Sequence, residues 1–322
     1  MTILPYIQTS VFVDKRYQFG GNQLATFSDV GLNSLLENSE MQGIAREMNF
    51  SETTFIVKSK KVQCGFGVRI FTPQVELPFA GHPTLGTAFV LKKKRMISIE
   101  DSSIDLDLRI GPTTVGFNLD SISMIQSYPV FSAEFDRPSR LADALGLDRD
   151  DLSNRFPAQV LSSGAPYLIV ALESLDAIRR ATPRSPQIGE ILVEMEANGL
   201  VVFCTDTIHS ESNLHARMFA PGLGVAEDPA TGSAAGPLGA YAEEYGAIRN
   251  HDLGATTLIE QGYEMNRPSQ LRSKVRHHGR PHVEVAGVVR MTAEGVFFLQ
   301  HEEIDSISCD QILEGSDHST LL

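Results

Sequence analysis

One loop is written twice along this chain. Residues 75–86 read VELPFAGHPTLG and residues 226–236 read AEDPATGSAAG. Laid over each other, both follow Glu-x-Pro-x-x-Gly-[His/Ser], with Glu76 over Glu227, Pro78 over Pro229, Gly81 over Gly232 and His82 over Ser233. The match continues upstream, where Arg69-Ile-Phe-Thr-Pro73 precedes the first copy and Arg217-Met-Phe-Ala-Pro221 the second. The second loop is three residues longer between its proline and its glutamate. An ordered pattern of this length points to a chain built from two structurally similar halves.

The elements around the loops narrow the fold class. Short runs rich in β-branched and aromatic residues read as strands: YIQTSVFV, TTFIVKS, CGFGVRIFT, TTVGFNL, APYLIVAL, LVVFCT, LHARMFA, HVEVAGVVRM and GVFFLQH. Helical periodicity is rarer. It appears in SLLENSEMQGIAREMN, in LADALGLDRDDL, and in PTLGTAFVLKKK and SAAGPLGAYAEEYG, which follow the two loops. Strands outnumber helices without strict alternation, so an α+β fold with largely antiparallel sheets is expected. The 322 residues suit two domains. The pattern resets between about residues 118 and 135, near Pro129 and Pro138. We place a first half at 1–122, a second at 123–304, and a polar, acidic tail at 305–322 that either packs on the first half or is poorly ordered.

Composition removes several function classes. A net charge of −13 argues against nucleic acid or an anionic membrane as partner. The cluster Lys92, Lys93, Lys94 and Arg95 reads as the C-terminal end of a helix, where cations are favoured. The three cysteines, Cys64, Cys204 and Cys309, are odd in number and form no CxxC, against a disulfide framework or zinc ribbon. The start MTILPYIQTSVFVDK lacks a basic leader and reads as a first strand, and no run approaches the ~20 apolar residues that span a bilayer. A cytoplasmic protein is expected.

Within the repeated loop, Pro78 and Pro229 end a strand, and Gly81 and Gly232 allow close backbone approach. A helix follows each, and its first N–H groups lack intrahelical partners, which makes a helix start an anion site. Two such ends in one cleft would seat a small carboxylate. They also read as ordinary caps, since Thr231 and Ser233 are good capping residues. The unequal positions carry the chemistry: His82 titrates near neutrality, and Asp228, where the first copy has Leu77, can polarise or position a substrate. Glu52 in NFSETTFIV reads either as a solvated junction carboxylate or, in a closed cleft, as a proton shuttle.

The segments FGGNQLATF, NFSETTFIV, RIFTPQVELPFAGHPTLGTA, RMFAPGLGVAEDPATGSAAGPLGAY and QGYEMNRPSQL together resemble the PhzF-type phenazine-biosynthesis family, over nearly the whole chain. That family is related in fold to diaminopimelate epimerase. The resemblance implies two pseudo-symmetric halves, each a curved, mostly antiparallel sheet around a central helix, with the active site between them. It implies a homodimer that needs no metal or organic cofactor and moves a proton on a small carboxylate. Glu52 would be the acid/base, with His82 and Asp228 as further catalytic residues. Ser51, Gly81, Gly232, Ser233 and Asn22 would contact substrate. No cysteine falls in either loop, so the two-thiol chemistry of the epimerase relatives is not expected. Asn266 departs from the family, which more often has Gly before Arg-Pro-Ser, and a changed turn is expected there. Two other readings stay open: a non-catalytic binder of small acids, and a hydrolase with Ser233 as nucleophile and His82 as base, although ATGSAAG lacks the Gly-x-Ser-x-Gly elbow. The histidines of HHGRPH (His277, His278, His282) read as a loop cluster.

Overall fold

The computed structural model describes residues 1–248 and 252–300. The tail at 305–322 and Cys309 therefore lie outside the described residues. Among the described residues, eighteen strands join in one continuous hydrogen-bonded sheet. In the first half the neighbours run Thr2–Val11, Asn22–Phe27, Glu52–Lys58, Phe66–Phe71, Ser103–Leu108, Gly111–Phe117, Ile122–Ser127. In the second they run Gln159–Ser162, Pro166–Ala171, Gly199–Cys204, Leu214–Ala220, Thr256–Gln261, Ser269–Arg276, His282–Gly287. Both series are antiparallel except at the second and fourth pairings, which are parallel in each. One pairing programme is thus executed twice.

The two series join along one seam, where Ile122–Ser127 lies antiparallel to His282–Gly287. After the seam each series sends its next strand to the far edge of the other. Val130–Glu134 pairs with Gln159–Ser162, and Val289–Leu299 pairs with Thr2–Val11. The proposed division at residue 122 falls at the head of the seam strand. Residues 289–299, counted on sequence with the second half, hydrogen-bond to the first strand of the first.

Each curved sheet wraps one helix, Gly81–Lys93 in the first half and Gly232–Glu244 in the second. Both helices are buried on nearly every side and made largely of small and apolar residues, as expected for helices enclosed by sheet rather than laid on a surface. They share a core that runs through both halves. Outside the sheets, the helix Asn38–Met48 covers Phe27, Phe55 and Phe71. Helices Pro138–Leu145, Leu175–Arg180 and Ser185–Glu194 cover the second half. The architecture is α+β, with few helices.

Local reading and structure differ at several places, and strands such as Ile122–Ser127, Thr256–Gln261 and Ser269–Arg276 were not anticipated. The helices Leu175–Arg180 and Ser185–Glu194 were not anticipated, because Pro183 and Pro186 mask their period. The helix expected over LADALGLDRDDL stops at Leu145, where Gly146 takes the left-handed conformation (φ 65°), and a single 3-10 turn follows at Arg149–Asp151. The run HVEVAGVVRM is two strands. Gly287 packs so closely on Phe12 that a Cβ would lie 2.2 Å from the ring, and the Val288 carbonyl accepts from Val13 N–H as the chain leaves the seam.

Candidate active site

The shared skeleton of the repeated loop proves to be a brace. Arg69 donates from Nε and Nη2 to the two oxygens of Glu76, both at 2.8 Å, and Arg217 does the same to Glu227, both at 2.8 Å. Each guanidinium also sits 5.0 Å from the ring of the Phe two residues on, Phe71 or Phe219. Such bidentate pairs are the geometrically most specific ion pairs available. Arg and Glu therefore recur because they fix where each strand delivers the following helix.

The recurring glycines bring the two helix starts together. A Cβ on Gly81 would lie 2.7 Å from Ser233 N and 2.9 Å from Gly232 C. Gly232 is in turn pressed on Phe12, where a Cβ would meet the ring at 2.7 Å. The close backbone approach expected of these glycines is thus made to one another. It aims both helix N-termini at one pocket.

That pocket has a volume of about 490 Å³ and is lined by both halves. Glu52, Gly81 and His82 reach it from the first half, and Asp228, Gly232 and Ser233 from the second. Leu77, Phe79, Ile110, Met218, Leu223 and Val225 form an apolar wall. Ser51 and Asn22 stand behind the lining. The Ser51 hydroxyl donates to Asn22 Oδ1 (2.8 Å), and Asn22 Nδ2 donates to Asp228 Oδ1 (2.7 Å) and to the Ala230 carbonyl (3.1 Å). Asn22 thereby ties the first half to the carboxylate of the second.

Glu52 Oε2 and His82 Nε2 face each other at 3.4 Å, and neither atom has a hydrogen-bond partner. Glu52 keeps 14% of its side chain accessible, through the pocket, and His82 only 4%. Burial, reinforced by the negative charge of Asp228, pushes the Glu52 carboxyl up to about 8. Burial drives His82 down to about 3, against a hydrogen bond to the Gln23 backbone. At neutral pH the pair is mostly carboxylic acid and neutral imidazole, with one proton available between them. Burial also raises Asp228, but only to about 6, because Thr231 and Asn22 donate to its two oxygens. The two acids are separated by their surroundings, a common sign of divided acid and base roles.

Two contributors, Tyr167 and Gln261, were not anticipated, and a third, Thr231, was expected only as a helix cap. Tyr167 places its hydroxyl 2.6 Å from Ser233 Oγ. Its one sequence signal was a lone hydroxyl in the apolar strand APYLIVAL. Thr231 and Gln261 hold the turn around Asp228. Because Ser233 is engaged by Tyr167 and His82 faces Glu52, the Ser–His pair of a hydrolase is not formed. Cys64 and Cys204 are buried away from the pocket. His277 pairs with Glu243, and among the described residues no three His, Cys, Asp or Glu side chains converge to hold a metal. Among those residues no helix is long and apolar enough to cross a membrane. Asn266 occupies the left-handed region (φ 54°, ψ 31°), which Asn tolerates better than other side-chain-bearing residues, so the turn suited to Gly is kept rather than changed.

Known proteins share this pattern. The family profile described as phenazine biosynthesis-like protein (PhzC-PhzF) matches residues 9–295. A trans-2,3-dihydro-3-hydroxyanthranilate isomerase of Pseudomonas aeruginosa is 35% identical over 303 residues, 91% of this chain and 99% of that one. A Bacillus anthracis phenazine biosynthesis protein of the PhzF family superposes with a TM-score of 0.84 at 26% identity, over 93% of this chain and 100% of that one. A hydroxyproline epimerase of Agrobacterium vitis superposes at 0.61 with 10% identity, over 92% of this chain and 91% of that one, and shares the fold.

Proposed function

The chain belongs to the phenazine biosynthesis-like PhzC-PhzF family, and from that premise we propose an isomerase that shifts a proton on a small carboxylate, using its own side chains as acid and base. The observation that carries this reading is the Glu52–His82 pair, two unpartnered atoms 3.4 Å apart on the wall of a pocket closed by both halves. In its ionised form, a carboxylate so poorly solvated is a strong base. Glu52 takes a proton from a carbon made acidic by conjugation, the electron pair spreads through the conjugated system, and Glu52 returns the proton at a second carbon. Nothing is added or lost. His82, held neutral, hydrogen-bonds the reacting region, while ionised Asp228 orients the substrate from the opposite wall.

The substrate carboxylate is assigned to the helix start at Gly232 and Ser233. Among the described lining residues there is no Lys or Arg, so an anion would be met by backbone N–H groups, the helix dipole and neutral donors such as Ser233. The apolar wall favours a ring or similar hydrocarbon body on the other side. A cyclic dienyl carboxylate of the kind named for the Pseudomonas relative fits this description.

The test is incubation with trans-2,3-dihydro-3-hydroxyanthranilate in deuterated water, read by mass spectrometry. The wild type is expected to form the isomerised product, with solvent deuterium at a ring carbon to the extent that the proton on Glu52 exchanges before its return. Glu52→Gln, which keeps the shape and removes the base, is expected to lose roughly 10²–10⁴-fold in rate. Full turnover by Glu52→Gln would overturn the mechanism. Binding with neither isomerised product nor deuterium uptake would favour a non-catalytic acid binder.

A further inference from the structure

Asp228 is surrounded by hydrogen bonds whose directions can be deduced without ambiguity. Gln261, 5% exposed at the end of the strand Thr256–Gln261, reaches under the turn that precedes the second central helix. Its Oε1 accepts from Thr231 N–H (3.1 Å), and its Nε2 donates to the Asp228 carbonyl (2.7 Å) and to Thr231 Oγ1 (3.0 Å). A backbone N–H can only donate and a carbonyl can only accept, so the amide cannot be turned the other way. Thr231 Oγ1 therefore receives a hydrogen bond from Gln261, and its single hydrogen is left for Asp228 Oδ2, its short-range partner. The other carboxylate oxygen, Oδ1, receives Asn22 Nδ2 at 2.7 Å.

We infer that Gln261 is a positioning residue that fixes the Thr231 hydroxyl as a donor and so holds Asp228 as the ionised partner of the site. The inference rests on the proposed role of Asp228 opposite Glu52. With a donor on each oxygen, the ionised form of Asp228 is stabilised over the protonated one. Without Gln261, the Thr231 hydroxyl is free to turn and accept from a protonated Asp228 instead. The two acids would then approach each other in ionisation, and the division of roles between them would blur.

The other ionisable groups around Asp228 leave this role to Gln261. Glu52 and Tyr167 line the same pocket as Asp228. Glu227, next in sequence, is committed to Arg217. Glu260, beside Gln261, points to the opposite side of its strand, where it accepts from His215 Nδ1 (3.0 Å) and from the N–H groups of Ile208 and His209. His215 bonds Glu264 through its other nitrogen, also at 3.0 Å.

Two measurements test the inference, and neither uses turnover. Neutron diffraction from perdeuterated wild-type crystals locates the Thr231 deuteron. It is expected on the line to Asp228 Oδ2, and any other direction overturns the inference. Carbon-13 NMR titration of the Asp228 carboxyl then compares wild type, Gln261→Met, Thr231→Val and the double variant. Gln261→Met is expected to raise the Asp228 midpoint by about one pH unit. The double variant is expected to match Thr231→Val alone, because both changes act on one hydroxyl. An unmoved midpoint in folded Gln261→Met, or full additivity, overturns it. If Gln261→Met does not fold, the neutron result decides. Loss of the isomerase reading through Glu52→Gln would leave these results standing, so the two failures are distinguishable.

Discussion

Replacing Glu52 by Gln is expected to stabilise the protein while removing its proposed base. In the unfolded chain this carboxyl ionises near its ordinary value of 4.5, whereas in the folded pocket it does so at about 8. A folded value above the unfolded one means that folding takes up a proton. The associated stability is complete below pH 4.5 and is lost as pH rises through about 8. Each pH unit in that window removes about 1.4 kcal/mol. The wild type therefore forfeits roughly 3 kcal/mol by pH 7 and roughly 5 kcal/mol above pH 8, as upper figures for a group that retains some solvent contact. Gln has the same shape and does not titrate. Its amide can also donate to His82 Nε2, which has no partner in the wild type. His82 acts in the opposite sense, with stability present above 6.5 and lost as pH falls through about 3. A donor on Nε2 keeps folded His82 neutral in the variant as well, so over pH 5–8.5 its contribution is the same in both proteins. Urea unfolding of both proteins at pH 5, 7 and 8.5 measures the difference directly. The advantage of Glu52→Gln over the wild type is expected to be small at pH 5, about 2–3 kcal/mol at pH 7 and larger at pH 8.5. A difference that does not change with pH, or a wild type that is the more stable at pH 8.5, would refute the reasoning. The expected result has a familiar basis: active sites retain groups that reduce stability because the chemistry requires them.

Two further comparisons test the frame around the site. Gly81→Ala forces a methyl to within 2.7 Å of Ser233 N, so it is expected to cost about 1–3 kcal/mol and to part the helix starts, with loss of activity. Gly43→Ala, exposed in the helix Asn38–Met48 with nothing within 4 Å of the added atom, is expected to gain about 0.5–1 kcal/mol in the same denaturation assay. The two braces are expected to differ although their geometry is the same. The Arg217 side chain is 7% exposed and also donates to the Ile178 and Ala181 carbonyls, so Arg217→Ala should cost about 3–5 kcal/mol. Arg69 is 24% exposed, and Arg69→Ala should cost about 1 kcal/mol. Equal losses in urea would show that burial does not set the strength of the brace.

Much of this protein is legible in its sequence, and the reason is the repeat. Two copies of Arg-x-Phe-x-Pro and Glu-x-Pro-x-x-Gly announce two like halves, and the strand pairings repeat accordingly. Among the positions where the copies differ are His82, Asp228 and Ser233, and all three line one pocket. Periodicity and composition are local properties, so they suffice for a strand such as Leu214–Ala220 or a helix such as Asn38–Met48.

What depends on residues far apart in the chain could only be decided by tertiary structure. Arg69 and Arg217 look like surface charges until each is seen clasping the glutamate of its own loop. Gly81 and Gly232 suggest ligand contact until their helices are seen to abut, 151 positions apart in sequence. Val289–Leu299 carries no mark that it returns to Thr2–Val11, because strand pattern encodes a buried face but not a partner. The proton balance of the site belongs to this second group. Glu52 and Asp228 are both carboxyls, and their ordinary values, 4.5 and 3.8, differ by less than one pH unit. Only the fold decides that Asp228 receives donors from Asn22 and Thr231 while Glu52 Oε2 faces His82 without one. The physical reason is that a carboxyl's acidity reports what surrounds it, and those surroundings are assembled from both halves of the chain.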